Sequence, residues 1–357
     1  MVKCGRGDPV ISPVETTLPS LPLSLPDGPA ISGLLKDRPE DFRVDEIPAY
    51  SPSGAGEHLF VHFEKTGLDT KEAVRRIARA LEVEPRDAGF AGLKDRHAIT
   101  TQWASFHRGD RARLDGAAID GVRVISAELH ENKLRTGHLR GNRFRLRLRG
   151  TPEDALPIAR ERLERLASHG APNYFGEQRF GRDRDNAVRA RAWIVEGGRP
   201  PREPFERKLL VSAWQSDLFN QLCAERVRDG SWCSVIDGDL CKKEETGGMF
   251  VSAEPEVDRE RAARFEISAT GPMFGASMRW PEREALRREE ETLARAGIAD
   301  RALLARFAKA GEGTRRPYRV KLGSPEIEAD SEGLVLAFDL PSGAYATVVL
   351  REITRND

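Results

Sequence analysis

Asn142-Arg-Phe-Arg-Leu-Arg-Leu-Arg149 alternates without a break. Asn142, Phe144, Leu146 and Leu148 fall on one side of an extended chain, and Arg143, Arg145, Arg147 and Arg149 on the other. That is the two-residue period of a strand. Outward from it, a helix is expected at about Glu153 to Ser168. Upstream, short strands are expected at Ile31 to Lys36 and Asp41 to Glu46, around Pro39, and a further one at Glu57 to Glu64 with Leu59, Val61 and Phe63 on one face. Thr70 then caps a helix whose apolar positions Ala73, Val74, Ile77, Ala78 and Leu81 share one face at helical spacing. Downstream, from Gly181 to about Arg316, the pattern changes to helices, clearest at Ala213 to Val227 and Glu282 to Ala296, before strand alternation resumes at Leu334 to Phe338 and Ala346 to Leu350. The N-terminal strands are therefore expected to share a sheet with the C-terminal ones, the middle block being an insertion. No internal repeat is evident.

The chain has 357 residues, enough for two domains, and its 39% hydrophobic and 32% charged residues describe a charged soluble protein. No apolar run approaches the roughly 20 residues that span a bilayer. Pro9, Pro13, Pro19, Pro22, Pro26 and Pro29 mark residues 1–30 as a loose extended arm in place of a signal peptide. Cys4, Cys223, Cys233 and Cys241 form no Cys-x-x-Cys pair, so neither a zinc site nor a disulfide framework is suggested, and a reducing, cytoplasmic setting fits. With 57 basic and 57 acidic residues, the chain is no simple polycation that coats nucleic acid. Locally, however, Glu131 to Gly150 holds seven Lys or Arg residues and one acid, whereas Glu326 to Asp339 is acidic. A basic stripe on a neutral protein reads as the footprint of a local polyanion site.

Four stretches carry candidate chemistry. In Phe90-Ala-Gly-Leu-Lys-Asp-Arg-His-Ala-Ile-Thr-Thr-Gln-Trp103, a single carboxylate, Asp95, lies between the cations Lys94 and Arg96 in a loop. A cation within a few ångström would keep Asp95 ionised and competent as a nucleophile; the alternative is an exposed loop with solvated charges. His97 reads as a loop histidine and is not assigned as a base. Gly141-Asn142-Arg143-Phe144 places an amide and a ring on one face, types that read base edges and stack on bases. The alternatives are a core role for Phe144 and a solvated face for the arginines. Pro172-Asn-Tyr-Phe-Gly-Glu-Gln-Arg-Phe-Gly181, with Arg179, suits a tight turn near a ligand or an interdomain hinge. Gly343 with Tyr345, and Arg351 with Glu352, form the fourth, its alternative a strand-end turn and a surface ion pair.

Taken together, these stretches resemble the TruD family of pseudouridine synthases. The likeness lies in Gly92-Leu-Lys-Asp-Arg-His-Ala98 with Thr101-Gln102-Trp103, in Lys133-Leu134, Gly137 and Gly141-Asn142-x-Phe144, and in Asn173-Tyr-Phe-Gly-x-Gln-Arg-Phe-Gly181. It extends to Leu218-Phe219-Asn220, Asp237-Gly238-Asp239 and Leu340-Pro-x-Gly-x-Tyr-Ala-Thr347 with Arg351-Glu352, and so covers almost everything after the arm. The resemblance implies a V-shaped, two-domain α+β protein: a mixed-sheet pseudouridine synthase catalytic domain over residues 31–169 and 317–357, and an inserted α/β TRUD domain over 170–316. It implies Asp95 as the catalytic aspartate, Phe144 as the ring stacking on the target uracil and Asn142 as a nearby polar contact. Lys36, in Leu34-Leu-Lys-x-x-Pro-Glu-Asp-Phe42, resembles the family's active-site lysine and would pair with Asp95. Lys94, Arg96 and Arg179 complete the expected substrate-binding set. The longer proline-rich start and the stretch from about Lys242 to Arg264 depart from the family pattern.

The implied reaction is isomerisation of uridine to pseudouridine in tRNA, at position 13 of the D arm, with neither cofactor nor metal. A carboxylate, a stacking ring and a dry pocket suffice for it. The target base, lying in a folded RNA, is expected to flip out of its stack. Two rivals stand beside this reading: a catalytically silent RNA-binding protein using the same basic cleft, and a hydrolase of N-glycosides, which would want a second well-placed acid. A monomer is expected, with tRNA as partner and no membrane association.

Overall fold

The computed structural model describes residues 21–356. Its first part contains β1 (Leu34–Leu35), β2 (Phe42–Pro48), β3 (His58–Lys65), α1 (Thr70–Ala80), β4 (Gly89–Phe90), β5 (Ile99–His107), β6 (Val122–His130), β7 (Leu139–Arg149) and α2 (Ala155–His169). The middle holds β8 (Ala171–Pro172), α3 (Asn186–Ile194), α4 (Pro204–Arg228), β9 (Leu240–Lys243), β10 (Met249–Val251), α5 (Pro255–Ala263), β11 (Ile267–Met273) and α6 (Arg283–Arg295). The chain ends through β12 (Thr314–Pro317), β13 (Arg319–Val320), β14 (Gly323–Asp330), β15 (Gly333–Pro341) and α7 (Ala346–Thr354).

The strands nearest the two ends of the described chain share one mixed sheet, in the order β14-β15-β7-β2-β5-β3-β6, with β1 added on β7 and β4 on β5. β2 and β5 run parallel and the other pairs antiparallel. Strand β7 is central, with Phe144 opposite Val44 and Phe338, and Leu146 opposite Phe42 and Leu336. This apolar side packs under α2 and α7 through Leu163, Leu166, Val349 and Ile353. Further along the sheet, Leu59, Val61 and Phe63 of β3 pack under Ala73, Val74 and Ile77 of α1. A second sheet, β10-β9-β11-β12, lies with α3, α4 and α6 around a separate core that includes Trp214, Phe219, Phe274, Phe307 and Tyr318.

Four of the seven basic residues of the stripe are not a free polyanion track. On the other face of β7, Arg143 pairs with Glu326 at 2.8 Å and Asp339 at 3.0 Å, Arg145 with Glu328 at 2.9 Å, and Arg149 with Asp41 at 2.7 Å. Arg147 meets Asp330. The residues opposite Arg145 and Arg147 on the intervening strand are Ala337 and Val335, over which their guanidinium arms pass to reach β14. The acidic run at Glu326 to Asp339 is thus the counter-charge of the basic one.

Three local expectations are corrected. Ala346 to Leu350, read as a strand, opens α7: Ala346, Val349, Leu350 and Ile353 are buried at helical spacing, a period that five residues are too few to reveal. Thr70 does not cap α1; Asp69 does, accepting the Glu72 N–H at 2.9 Å, while Thr70 is buried. Residues 1–30 were expected to be loose throughout, and residues 1–20 lie outside the described ones, but 21–30 form a pinned strap. The Glu352 carboxylate, 1% exposed, accepts the Ser24 N–H at 2.9 Å, its hydroxyl at 2.8 Å and the Leu25 N–H at 3.3 Å. Arg162 donates to the Pro29 carbonyl, Arg351 to that of Leu21 and Tyr174 to that of Pro22. Glu352 is accordingly a buried anchor and not half of a surface ion pair.

Removing that anchor leaves buried donors without an acceptor, which costs roughly 1–3 kcal/mol. Glu352→Ala is therefore expected to destabilise the fold by about that much in urea unfolding and to expose residues 21–30 to protease. Unchanged cleavage and midpoint would refute the anchoring role.

Candidate active site

The loop between β4 and β5 carries Asp95, and four contacts hold it. Thr70 accepts the Lys94 N–H at 2.8 Å, and Arg96 donates through Nε to the Gly67 carbonyl at 3.0 Å. Lys65 donates to the Asp95 carbonyl at 2.7 Å. The fourth contact is the Asp95 side chain itself, whose Oδ2 lies 2.8 Å from Lys36 Nζ and whose Oδ1 accepts the His97 N–H at 3.0 Å. Lys36 follows β1 directly and has φ +61, a left-handed backbone that a residue with a side chain seldom adopts. At this position the chain leaves β7 and the lysine reaches the Asp95 loop. Partial burial pushes Asp95 upward, but the hydrogen bonds from Lys36 and His97 and the Lys36 charge outweigh it and hold the carboxyl below the usual carboxylate range.

An aromatic wall stands beside this pair. Lys36 Nζ lies 4.2 Å from the centroid of the Phe42 ring, which meets Phe144 edge-on at 6.3 Å, and Phe144 meets Phe338 at 5.9 Å. Phe144 is 7% exposed, so most of its ring serves the core and only a small part is open.

Asn142 and Lys94 meet each other: the ammonium donates to the Asn142 side-chain oxygen and sits 3.4 Å from Glu46. Both charged side chains are buried, which pushes Lys94 down and Glu46 up, each opposed by the other's charge. Lys94 therefore points into the sheet at a neighbouring carboxylate, while Lys36, 59 residues away in sequence from Asp95, takes the place beside it. Arg96 braces the loop against the turn before α1.

Arg179 lies with the second core, donating to Ser212 and, at 3.1 Å, to Ser216, with its guanidinium 5.3 Å from the Phe175 ring. Arg316 stacks on the same ring at 4.0 Å and donates to Asn173 and to the Gly343 carbonyl. Neither arginine meets a carboxylate among the described residues, in contrast to Arg143, Arg145, Arg147 and Arg149 on β7. Next to them, a cleft of about 690 Å³ runs between the two cores, lined by Leu35, Leu148, Phe175, Gln178, Asn220 and Thr347. Leu35, which precedes Lys36 in the chain, is the lining residue nearest in sequence to the Lys36–Asp95 pair, and neither member of that pair lines the cleft.

Sequence reading did not single out Lys65, Glu46 or Arg316. Lys65 had a readable signal, since it continues the inward row Leu59, Val61, Phe63. Glu46 and Arg316 had none, because their partners are remote in sequence. Among the described residues no group of three or more His, Cys, Asp or Glu is placed to hold a metal ion.

The family described as tRNA pseudouridine synthase D (TruD) matches residues 23–199 and 204–353 of this chain. The chain is 48% identical over 345 residues to the tRNA pseudouridine synthase D of Anaeromyxobacter dehalogenans strain 2CP-1, covering 94% of this chain and 97% of that protein. It is 43% identical over 336 residues to the protein of that name from a strain of Thermus thermophilus, covering 94% and 92% respectively. In fold it is similar to a crystal structure of a Methanosarcina mazei protein described as a TruD, with a TM-score of 0.73 at 22% identity over 94% of this chain and 96% of that one. From the match along nearly all of its described length, the chain belongs to the tRNA pseudouridine synthase D (TruD) family.

Proposed function

We propose that this protein isomerises uridine to pseudouridine in tRNA, at position 13 of the D arm, with Asp95 as the catalytic carboxylate and no cofactor. The observation that carries the reading is the Asp95 carboxylate, held ionised by Lys36 at 2.8 Å beside the Phe42 and Phe144 rings. In the reaction the bond from N1 to C1′ breaks, the uracil turns, and C5 bonds to C1′. The proton that leaves C5 is balanced by one gained at N1, so nothing is consumed. Asp95 acts either by attack on C1′ or by assisting elimination at the sugar, and both routes need its ionised form. The open part of Phe144 supports a ring contact with the flipped uracil, and Asn142 stands two residues away on the same strand face.

Residues 31–169 and 317–357 serve in this reading as the catalytic domain and 170–316 as the inserted TRUD domain, the cleft between them receiving the RNA. Support comes from the two separate cores and from Arg179 and Arg316, which stack on Phe175, a lining residue of that cleft, and have no carboxylate partner among the described residues. Residues 21–30 belong to neither a loose arm nor one domain alone, since they touch both cores. Among the described residues no helix is long and apolar enough to cross a membrane. The working form is a monomer acting in the cytoplasm.

Incubating the protein with an unmodified tRNA pool and mapping pseudouridine by carbodiimide-dependent reverse-transcription stops tests the reading. A stop at position 13 is expected with wild type, and Asp95→Asn is expected to lose about 10⁴-fold in rate while still binding tRNA. Binding without a stop in wild type would favour the silent RNA-binding alternative; free uracil would indicate a hydrolase.

The pH profile supplies a second check. Because the Asp95 pKa is depressed, activity is expected to persist to pH values below the ordinary carboxylate range and to fall only as pH drops through the depressed value. Lys36→Met removes the cation and is expected to move that acid limb upward; a limb that stays put would separate Lys36 from the ionisation of Asp95. Arg179→Gln is expected to weaken tRNA binding and to reduce the salt slope of log Kd by about 1, read from titrations at several salt concentrations. An unchanged slope would place Arg179 off the RNA path.

A further inference from the structure

Lys65 ends β3 on the inward row of Leu59, Val61 and Phe63, and it is 0% exposed. Among the described residues the Asp95 carbonyl, at 2.7 Å, is its hydrogen-bond partner, and no carboxylate closes an ion pair with it. The strands on either side offer no charge, since Thr100 of β5 and Val122 of β6 stand opposite. The charges that face Lys65 are Asp95 and Lys94 from the catalytic loop and Asp69 from the cap of α1. Burying an ammonium is costly, and a carbonyl needs only a neutral donor. Packing alone would be served by another leucine, so the charge calls for a different explanation.

We propose that Lys65 is a positioning residue for the reaction, its buried ammonium fixing the main chain at Asp95 while Lys36 fixes the carboxylate, and its charge adding to that of Lys36. This rests on Asp95 being the group that reacts. The two lysines hold the same residue by its two ends, one from the open side of the site and one from the core.

Burial pushes Lys65 down to about 8, while Asp95 and Asp69 draw it back up and Lys94 depresses it further. The charged form is present below that value and is lost above it, so kcat falls as pH rises through about 8. Stability moves the other way. An unfolded chain binds this proton more tightly than the folded one, so the charge weakens the fold below about 8, and the penalty fades as pH climbs from there toward the ordinary lysine value. Lys65→Met therefore separates activity from stability, which loss of a purely structural residue would not.

The test compares wild type, Lys65→Met and Lys65→Gln as full chains on one unmodified tRNA, with kcat and KM from about pH 6 to about pH 9 and thermal melts at about pH 7. Wild type is expected to lose kcat above about pH 8. Lys65→Met is expected to melt no lower than wild type, to lose about 100-fold in kcat with KM within about twofold, and to lack the alkaline step. Lys65→Gln, a donor without charge, is expected to recover part of kcat but not the step. A Lys65→Met protein that melts lower than wild type, raises KM with kcat kept, or retains the alkaline step overturns the proposal. Wild type that makes no pseudouridine overturns the reading of the reaction itself; wild type and Lys65→Met reacting equally well overturn only the role of Lys65.

Discussion

The register of β7 governs the molecule. A slip of one residue in that strand would turn Phe144, Leu146 and Leu148 outward and drive four guanidinium groups under α2 and α7, at a cost no local rearrangement could offset. The register is held from both sides by different means. On the apolar face, Phe42, Val44, Leu336 and Phe338 stand opposite Phe144 and Leu146. On the wet face, acids from β14 and Asp41 meet the arginines one by one. Individual exposed ion pairs add little stability, but a ladder of them penalises every wrong alignment.

The same alternation explains why the sheet was legible in the sequence and part of the site was not. Long periodic runs such as Asn142 to Arg149 and Ala73 to Leu81 declare their element, whereas Ala346 to Leu350 was too short to distinguish strand from helix until the turn containing Ile353 was added. The Asp95 loop announced itself by its density of polar residues. Which cation sits beside Asp95 could not be read from adjacency: Lys94 is next in the chain but is drawn under the sheet by Glu46, and Lys36 arrives from the end of another strand. Neighbours in a loop diverge, and only the family resemblance pointed at Lys36. The basic stripe misled for the related reason that its counter-charges lie 183 residues further on.

Around the Asp95 loop the protein tolerates several features that a purely stable design would avoid. Lys36 takes a left-handed backbone, Lys65 is a buried cation with no ion-paired acid among the described residues, and Glu46 and Lys94 are a buried ion pair. All three converge on a segment of a few residues, and buried ion pairs also occur in the second core region, at Arg226–Asp239 and Arg315–Glu289. Strain and buried charge around this loop suit a preorganised site, since a loop free to relax would let its carboxylate wander.

The strap at residues 21–30 has a consequence for the order of events on the ribosome. Its anchors, Glu352 and Arg351, lie in the helix that is translated last among the described elements, and the Ile31 N–H is received by the carbonyl of Thr354 in the same helix. The acids that neutralise the arginines of β7 also emerge late, on β14. A nascent chain can pair β2, β3, β5, β6 and β7 early, but it must wait through some 170 further residues for the strand and helix that seal them. Until then, of the two helices, α2 alone covers the apolar face of β7, and on its basic face only Arg149 is matched, by Asp41. The fold is closed by its final segment, so a truncated product would be left with an open sheet and an unfastened leading end.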